Sequence, residues 1–377
     1  MISKIQIIVF HSFILFAAFF LSKQNIGTKR DTIIKHDVAV LHPGIDNTKP
    51  IQQTLFEVEK SYGGARIFYA EVESVVCGSK VCKVIPMRIY WDALGRYTHY
   101  EIAKGFNLEK EEGEPFAKED HNKLHQILKD RNSVLKEYYK EELVSKADNN
   151  AVDALSGATI SIDPNAVVTG AVWTCYTLWH WANGSFVEKI RDITSKKSDT
   201  QLLLNYLTYG DKYYRELAIE TFIKRKIYDD NTIKNVLKAA NIESMLQPIT
   251  LAYLEQSSAK NYYSNINSFF EFADEKFRVT ILNSLYKTAF KAPEPFYDAF
   301  SEQLLMTNNY QEINLILDLF KLKKHKSSKV VNEVLKLLDH KEFLISRRAY
   351  WFLNNITLSN NQKTRVLQFQ KKYKSKL

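Results

Sequence analysis

The sequence predicts an α+β domain followed by an all-α domain. Three observations predict it. Strand-like alternation is confined to the first third of the chain, short amphipathic helical segments fill everything beyond residue 195, and a small-residue turn stands between them. The chain has 377 residues, 45% apolar and 13% aromatic, enough for two or three domains with a sizeable core. Charged residues make up 25%, a composition that folds.

The N-terminus comes first. Lys4 precedes "IQIIVFHSFILFAAFFL", which is apolar apart from Gln6, His11 and Ser12. A basic start and an apolar run of about 17 residues read as a signal peptide or a retained signal anchor over residues 1–23. The run is apolar on all faces, which disfavours an ordinary amphipathic helix. Phe20-Leu21-Ser22 makes a poor cleavage site, and no lipid-accepting cysteine follows. Lys23, Lys29 and Arg30 outnumber Lys4, so flanking charge specifies the orientation only weakly. Export to the periplasm, or to the extracytoplasmic face of the membrane, is the expectation, with membrane contact through this segment.

Residues 24–50 are polar, with Pro43-Gly44 and Pro50, and read as a linker. Residues 51–62 read as helix. "ARIFYAEVESVV" and "KVIPMRIYWDALGRYTHYEIA" alternate and are rich in Val, Ile, Tyr and Phe, which predicts strands, the second a hairpin around Asp92–Gly95. After the charged loop "KGFNLEKEEGEPF", a helical pattern runs from Ala117 and breaks near Arg131-Asn132-Ser133. Pro164 fits the first turn of a helix that Asn183-Gly184 ends. The α+β domain is therefore placed at 51–194.

Beyond residue 195 strand signals vanish. Asp211-x3-Arg215 and Asp274-x3-Arg278 each precede an apolar run, at an offset of about 63 residues, roughly two units of a helical-hairpin repeat. Arg347-Arg348 before "AYWFL" reads as a third copy without the Asp. The segment 195–377 resembles degenerate HEAT-type repeats. It holds no catalytic cluster, and a docking surface is its natural role.

The net charge is +9, with the lysines scattered through the helical segments. This suits solubility and weak attraction to anionic lipid or cofactor phosphates. No nucleic-acid-binding motif accompanies the charge, so no nucleic-acid partner is expected. Cys77 and Cys82 flank a Gly-Ser turn, and in an oxidising compartment they either close a small disulfide loop or remain two free thiols. Cys175 reads as a free buried thiol. His121-x3-His125 shares one helix face, but without a third ligand it reads as a solvated surface rather than a metal site. No nucleophile elbow surrounds Ser156, so no catalytic residue is assigned.

The stretch "DALSGATIS" carries the sharpest signal. Gly157 and Ala158 let a backbone approach a bulky ligand closely, and Thr159 and Ser161 offer hydroxyls. A helix beginning near Pro164 would direct free N–H groups back at the turn, which favours phosphate. Asp153-Ala154-Leu155-Ser156-Gly157-Ala158-Thr159 resembles the flavinylation motif of the FMN-binding domain family, found in subunits of the sodium-pumping NADH:quinone oxidoreductase and the Rnf complex. Ala154 stands where that pattern more often has Gly. The resemblance covers about residues 65–190. It implies an α+β FMN-binding domain in which a flavin transferase uses FAD to join FMN, through its phosphate, to Thr159. Ser156, Gly157 and Ala158 would shape the turn the transferase reads, and Asp153 would be the motif acid.

On that resemblance Trp173, Tyr176, Trp179 and Trp181, or Tyr90 and Trp91, are candidates to stack on the flavin ring, although aromatic spacing of this kind equally makes a core. His180 reads as a surface residue. The expected function is an exported electron carrier, more than a stand-alone oxidoreductase, that serves a membrane or periplasmic redox protein. The alternative is a binding scaffold whose flavin has been lost.

Overall fold

The computed structural model describes residues 31–59, 66–77, 82–110, 113–139, 143 and 163–377. The apolar N-terminal run and the whole motif from Asp153 to Thr159 lie outside that set. Two compact units divide the chain, one ending at Asp192 and the other beginning at Ile193.

The first unit is built on an antiparallel five-stranded meander in the order β1-β2-β3-β4-β5. The strands are β1 (Thr32–His42), β2 (Asp46–Glu59), β3 (Ile67–Cys77), β4 (Cys82–Asp92) and β5 (Tyr97–Ile102). Two expectations are corrected here. The predicted linker at 24–50 contains β1 and the start of β2, and the predicted helix at 51–62 is the body of β2. Pro43-Gly44 sits in the hairpin turn between the two strands, where Ile45 N–H donates to the His42 carbonyl. Leu55 faces the core while Phe56 faces the other side of the sheet, a period of two that the spacing of Ile51, Leu55 and Val58 had disguised as a helical one.

The β4–β5 hairpin forms where predicted. Gly95 has φ +73°, and a Cβ there would meet the Val187 backbone at 2.9 Å, so the turn requires glycine. Helix α1 (Lys118–Lys129) ends before Arg131, and a 3-10 turn (Val134–Glu137) follows. Helix α2 (Val172–Asn183) starts later than Pro164 suggested. Residues 163–171 are turns instead: Asp163 Oδ1 accepts from Asn165 N–H, and Gly170 takes φ +72°. Val167, Val168 and Thr169 are β-branched, and with Gly170 they weigh against a helical turn.

Helices α1 and α2 cover the inner face of the sheet. Phe68, Ala70, Met87, Ile89 and Trp91 point into that layer from β3 and β4. Helix α2 is buried on every side from Thr174 to Ala182, because the sheet, α1 and the 3-10 turn enclose it. Helix α3 (Ser185–Lys197) carries Phe186, Val187 and Ile190 into the same core, and the division between the two units falls within it.

The second unit is helical: α4 (Thr200–Tyr209), α5 (Lys212–Arg225), α6 (Asp230–Ile242), α7 (Gln247–Glu255), α8 (Ala259–Phe272), α9 (Glu275–Lys287), α10 (Phe296–Phe300), α11 (Tyr310–Leu322), α12 (Ser328–Lys336), α13 (Phe343–Leu353) and α14 (Asn360–Lys372). They alternate between two layers. Helices α5, α7, α9, α11 and α13 form one layer, and the even-numbered helices form the other. The repeated Asp and Arg have repeated places. Asp211 and Asp274 stand at the N-cap positions of α5 and α9, although of the two only the Asp211 side chain accepts from first-turn N–H groups. Arg215 and Arg278 each reach back eight residues, donating from Nε to the carbonyls of Leu207 (3.2 Å) and Phe270 (3.1 Å). The Arg347-Arg348 pair departs from this. Arg348 bonds Asn314 and Asp318 of the neighbouring α11, while Arg347 lies between the rings of Phe343 and Trp351.

Candidate functional site

Five predicted site residues, Asp153, Ser156, Gly157, Ala158 and Thr159, fall in the undescribed stretch between residues 143 and 163. What is described is where the chain leaves and re-enters. Near the exit, the Tyr138 carbonyl accepts from Tyr176 OH of α2 at 3.1 Å. At the re-entry, the Pro164 carbonyl accepts from Lys123 Nζ of α1 at 2.8 Å. The same two helices that cover the sheet therefore hold the chain at Tyr138, before the motif, and at Pro164, after it.

The aromatic residues suggested as flavin partners separate into two groups. Trp91, Tyr176, Trp179 and Trp181 are buried. Their polar atoms serve the core: Trp91 Nε1 donates to the Ala182 carbonyl (2.7 Å) and Trp179 Nε1 to the Asp130 carbonyl (2.8 Å). Trp173 is half-buried against Tyr176. Tyr90 is on the opposite face of the sheet. No common aromatic platform forms from the six.

His180 is buried, which corrects the surface reading. It lies edge-on to Tyr176 and Trp179 inside the enclosed helix α2. His42, at the end of β1, joins this cluster. Its Nε2–H donates to the Thr177 carbonyl at 2.9 Å, and its ring lies 4.1 Å from that of Trp181. Burial lowers both histidines to about 4, with the neighbouring His42 a second cause for His180.

His121 and His125 also differ from expectation. Both are half-buried and face β5, each sharing a hydrogen bond with a tyrosine. Tyr100 OH is 2.7 Å from His121 Nδ1, and Tyr97 OH is 3.0 Å from His125 Nδ1. Burial pushes Tyr100 up to about 12 and Tyr97 further, so both phenols stay protonated. The pair fastens α1 to the sheet. Among the described residues no group of three His, Cys, Asp or Glu side chains is placed to hold a metal ion.

Cys77 and Cys82 occupy directly opposed positions in the β3–β4 register. Their side chains, and residues 78–81, lie outside the described set. Cys175 is free and buried; its Sγ accepts from Val168 N–H at 3.2 Å, and burial pushes the thiol up to about 12.

The outer face of the sheet holds what sequence reading missed. Lys35, Phe56, Tyr69, Tyr90 and His99 lie in one row, each opposite the next across the five strands. Phe56 stacks on Tyr69 (4.6 Å between centroids, 4° between planes), and Tyr90 stacks on His99 (4.3 Å, 7°). Beside it runs a charged row. Arg88 donates to Glu71 from Nε (3.1 Å) and Nη2 (2.7 Å), and Glu101 accepts from Tyr90 OH. Two shallow hollows, of about 530 and 440 Å³, meet at Glu71. The alternation of each strand was visible in the sequence; the register that aligns the rings was not.

At the β1 end of the inner face, the fully buried Glu57 carboxylate meets His36 Nε2 at 2.8 Å and Arg66 Nε at 3.5 Å. No helix among the described residues is long and apolar enough to cross a membrane. Compared with known proteins, the chain matches no family model, no curated protein and no solved structure.

Proposed function

We propose that this chain is an exported electron-transfer flavoprotein that carries FMN through a phosphoester on Thr159. The observation that carries the reading is the Asp153-to-Thr159 motif. Its setting supports it: in sequence the motif lies between a 3-10 turn and a helix of an antiparallel α+β unit, and the chain is held to one helical layer at Tyr138 before it and Pro164 after it. On this reading the first unit is a domain of the FMN-binding type. Residues 1–23 direct export and contact the membrane, and the second unit is a HEAT-like stack that docks a membrane or periplasmic redox protein. The repeated reach of Arg215 and Arg278 supports the repeat reading.

Attachment forms a bond from Thr159 Oγ to phosphorus and breaks the pyrophosphate of FAD; AMP leaves and the hydroxyl proton is lost. A flavin transferase is the partner for this step. The bound flavin supplies one- or two-electron transfer. The test is intact mass after production together with a flavin transferase. The wild type gains one FMN less one water, and Thr159→Ala gains nothing. A colourless wild type of unchanged mass overturns the reading. The scaffold alternative, in which the helical repeats are the functional part, then stands.

A further inference from the structure

We propose that β1 pairs edge to edge, antiparallel, with β1 of a second copy of this chain, about a twofold axis at His36. Strand β1 stands at the edge of the sheet, and among the described residues no strand pairs with its outer side. It runs for 11 residues without proline, a long edge for a sheet to leave open.

The backbone fixes which residues are available. Leu41 N–H donates to Ser185 Oγ at 3.1 Å, and the Leu41 carbonyl accepts from the same hydroxyl at 3.2 Å. The backbone groups of Leu41 therefore point away from β2. The register shift between Val40 and His42 adds residues on β2 alone, so β1 keeps its alternation, which sends those of Ala39, Asp37, Lys35 and Ile33 to the same outer side. Ser185 closes the ledge at Leu41 and leaves it open from Ile33 to Ala39.

Side chains then fix the register. Around His36 the strand reads Ile33-Ile34-Lys35-His36-Asp37-Val38-Ala39. An antiparallel twofold at His36 sets Lys35 opposite Asp37 of the second copy, and Asp37 opposite Lys35. Ile34 then faces Val38, and Ile33 faces Ala39. Each hydrogen-bonded pair joins two residues whose backbone groups point outward. A slip of one residue pairs outward groups with inward ones. The nearest registers that keep outward groups together centre on Lys35 or Asp37, and they set like charges directly opposite. Lys35 and Asp37 are exposed, engaged only lightly by Phe56 (5.7 Å from Lys35 Nζ to the ring centroid) and by Thr54 Oγ1 (3.2 Å to Asp37).

The test uses the full chain in one detergent, with association measured by sedimentation velocity. Wild type dimerises. Lys35→Asp and Asp37→Lys each oppose like charges at both contacts and weaken the dimer about tenfold or more. The double exchange restores it. Mixing the two single variants, tagged differently, yields a mixed dimer, because that combination alone opposes unlike charges at both contacts. Far-UV circular dichroism establishes that both variants are folded. A monomeric wild type, single variants that associate like wild type, or the absence of the mixed dimer overturns the proposal.

Discussion

The rings of His42 and Trp181 lie 4.1 Å apart between centroids, their planes tilted by 37°, while the Nε2–H of His42 is spent on the Thr177 carbonyl. Nδ1 is then a bare acceptor, buried with no hydrogen-bond partner, and His180 Nε2 is in the same position. Protonating either ring would bury a new charge.

The sign of the pH effect follows. Both folded-state values are lowered from 6.5 to about 4, so the unfolded chain takes up protons first. The stability these rings contribute is fully present above pH 6.5 and is lost as pH falls from 6.5 to about 4, roughly 3 kcal/mol for each ring. Urea unfolding between pH 7 and pH 4 should show this loss, and His42→Gln should reduce the slope by about half. A flat profile would show that the cluster does not titrate on unfolding.

Arg278 and Glu312 give a second prediction. The Glu312 carboxylate is fully buried and its nearest cation is the Arg278 guanidinium, at 3.8 Å. Arg278→Ala should cost about 3–5 kcal/mol, because it strands a buried charge. Glu312→Gln leaves Arg278 its carbonyl partners on α8 and should cost less than about 1 kcal/mol. In the double variant much of the first loss should return, which a double-mutant cycle by thermal melting reads directly.

Gly95→Ala tests the β4–β5 turn. The new Cβ would stand 2.9 Å from the Val187 backbone, at a φ of +73°. The expected loss is about 1–3 kcal/mol in chemical unfolding, with secondary structure retained. Gly105 has a comparable φ of +88° and open space around it, so Gly105→Ala should cost less. Equal costs would show that the close approach of Val187 contributes nothing.

Local chemistry was legible in the sequence where one segment decided its own structure. The Asp92–Gly95 turn, the strands at 67–77 and 82–92, and the end of α1 before Arg131 are of that kind. Strands β1 and β2 were not, because Pro43-Gly44 and the neighbouring charges mark a turn or a linker equally well until a partner strand is known. His180 misled for a related reason. A histidine in an apolar run becomes buried only if neighbours close on every side of the helix, and the sheet, α1 and the 3-10 turn do so from far along the chain. The aromatic row depended on register, a relation between strands that none of them carries alone.

In the helical unit the principal contacts of each helix are with its immediate neighbours, in its own layer or across from it. Stability in such a stack adds along a line of neighbour contacts, and α9 and α11 also meet directly beside α10. The helix Phe296–Phe300 is the shortest α-helix in that line, and Phe296 and Phe300 tie it to Tyr263 and Phe270 on α8, the helix before it in its own layer. Phe300→Ala would therefore do more than lower a melting temperature. It would loosen the even-numbered layer at α10 while the α9–α11 contact holds, so hydrogen exchange should quicken in α8 and α10 before it does in α9 and α11.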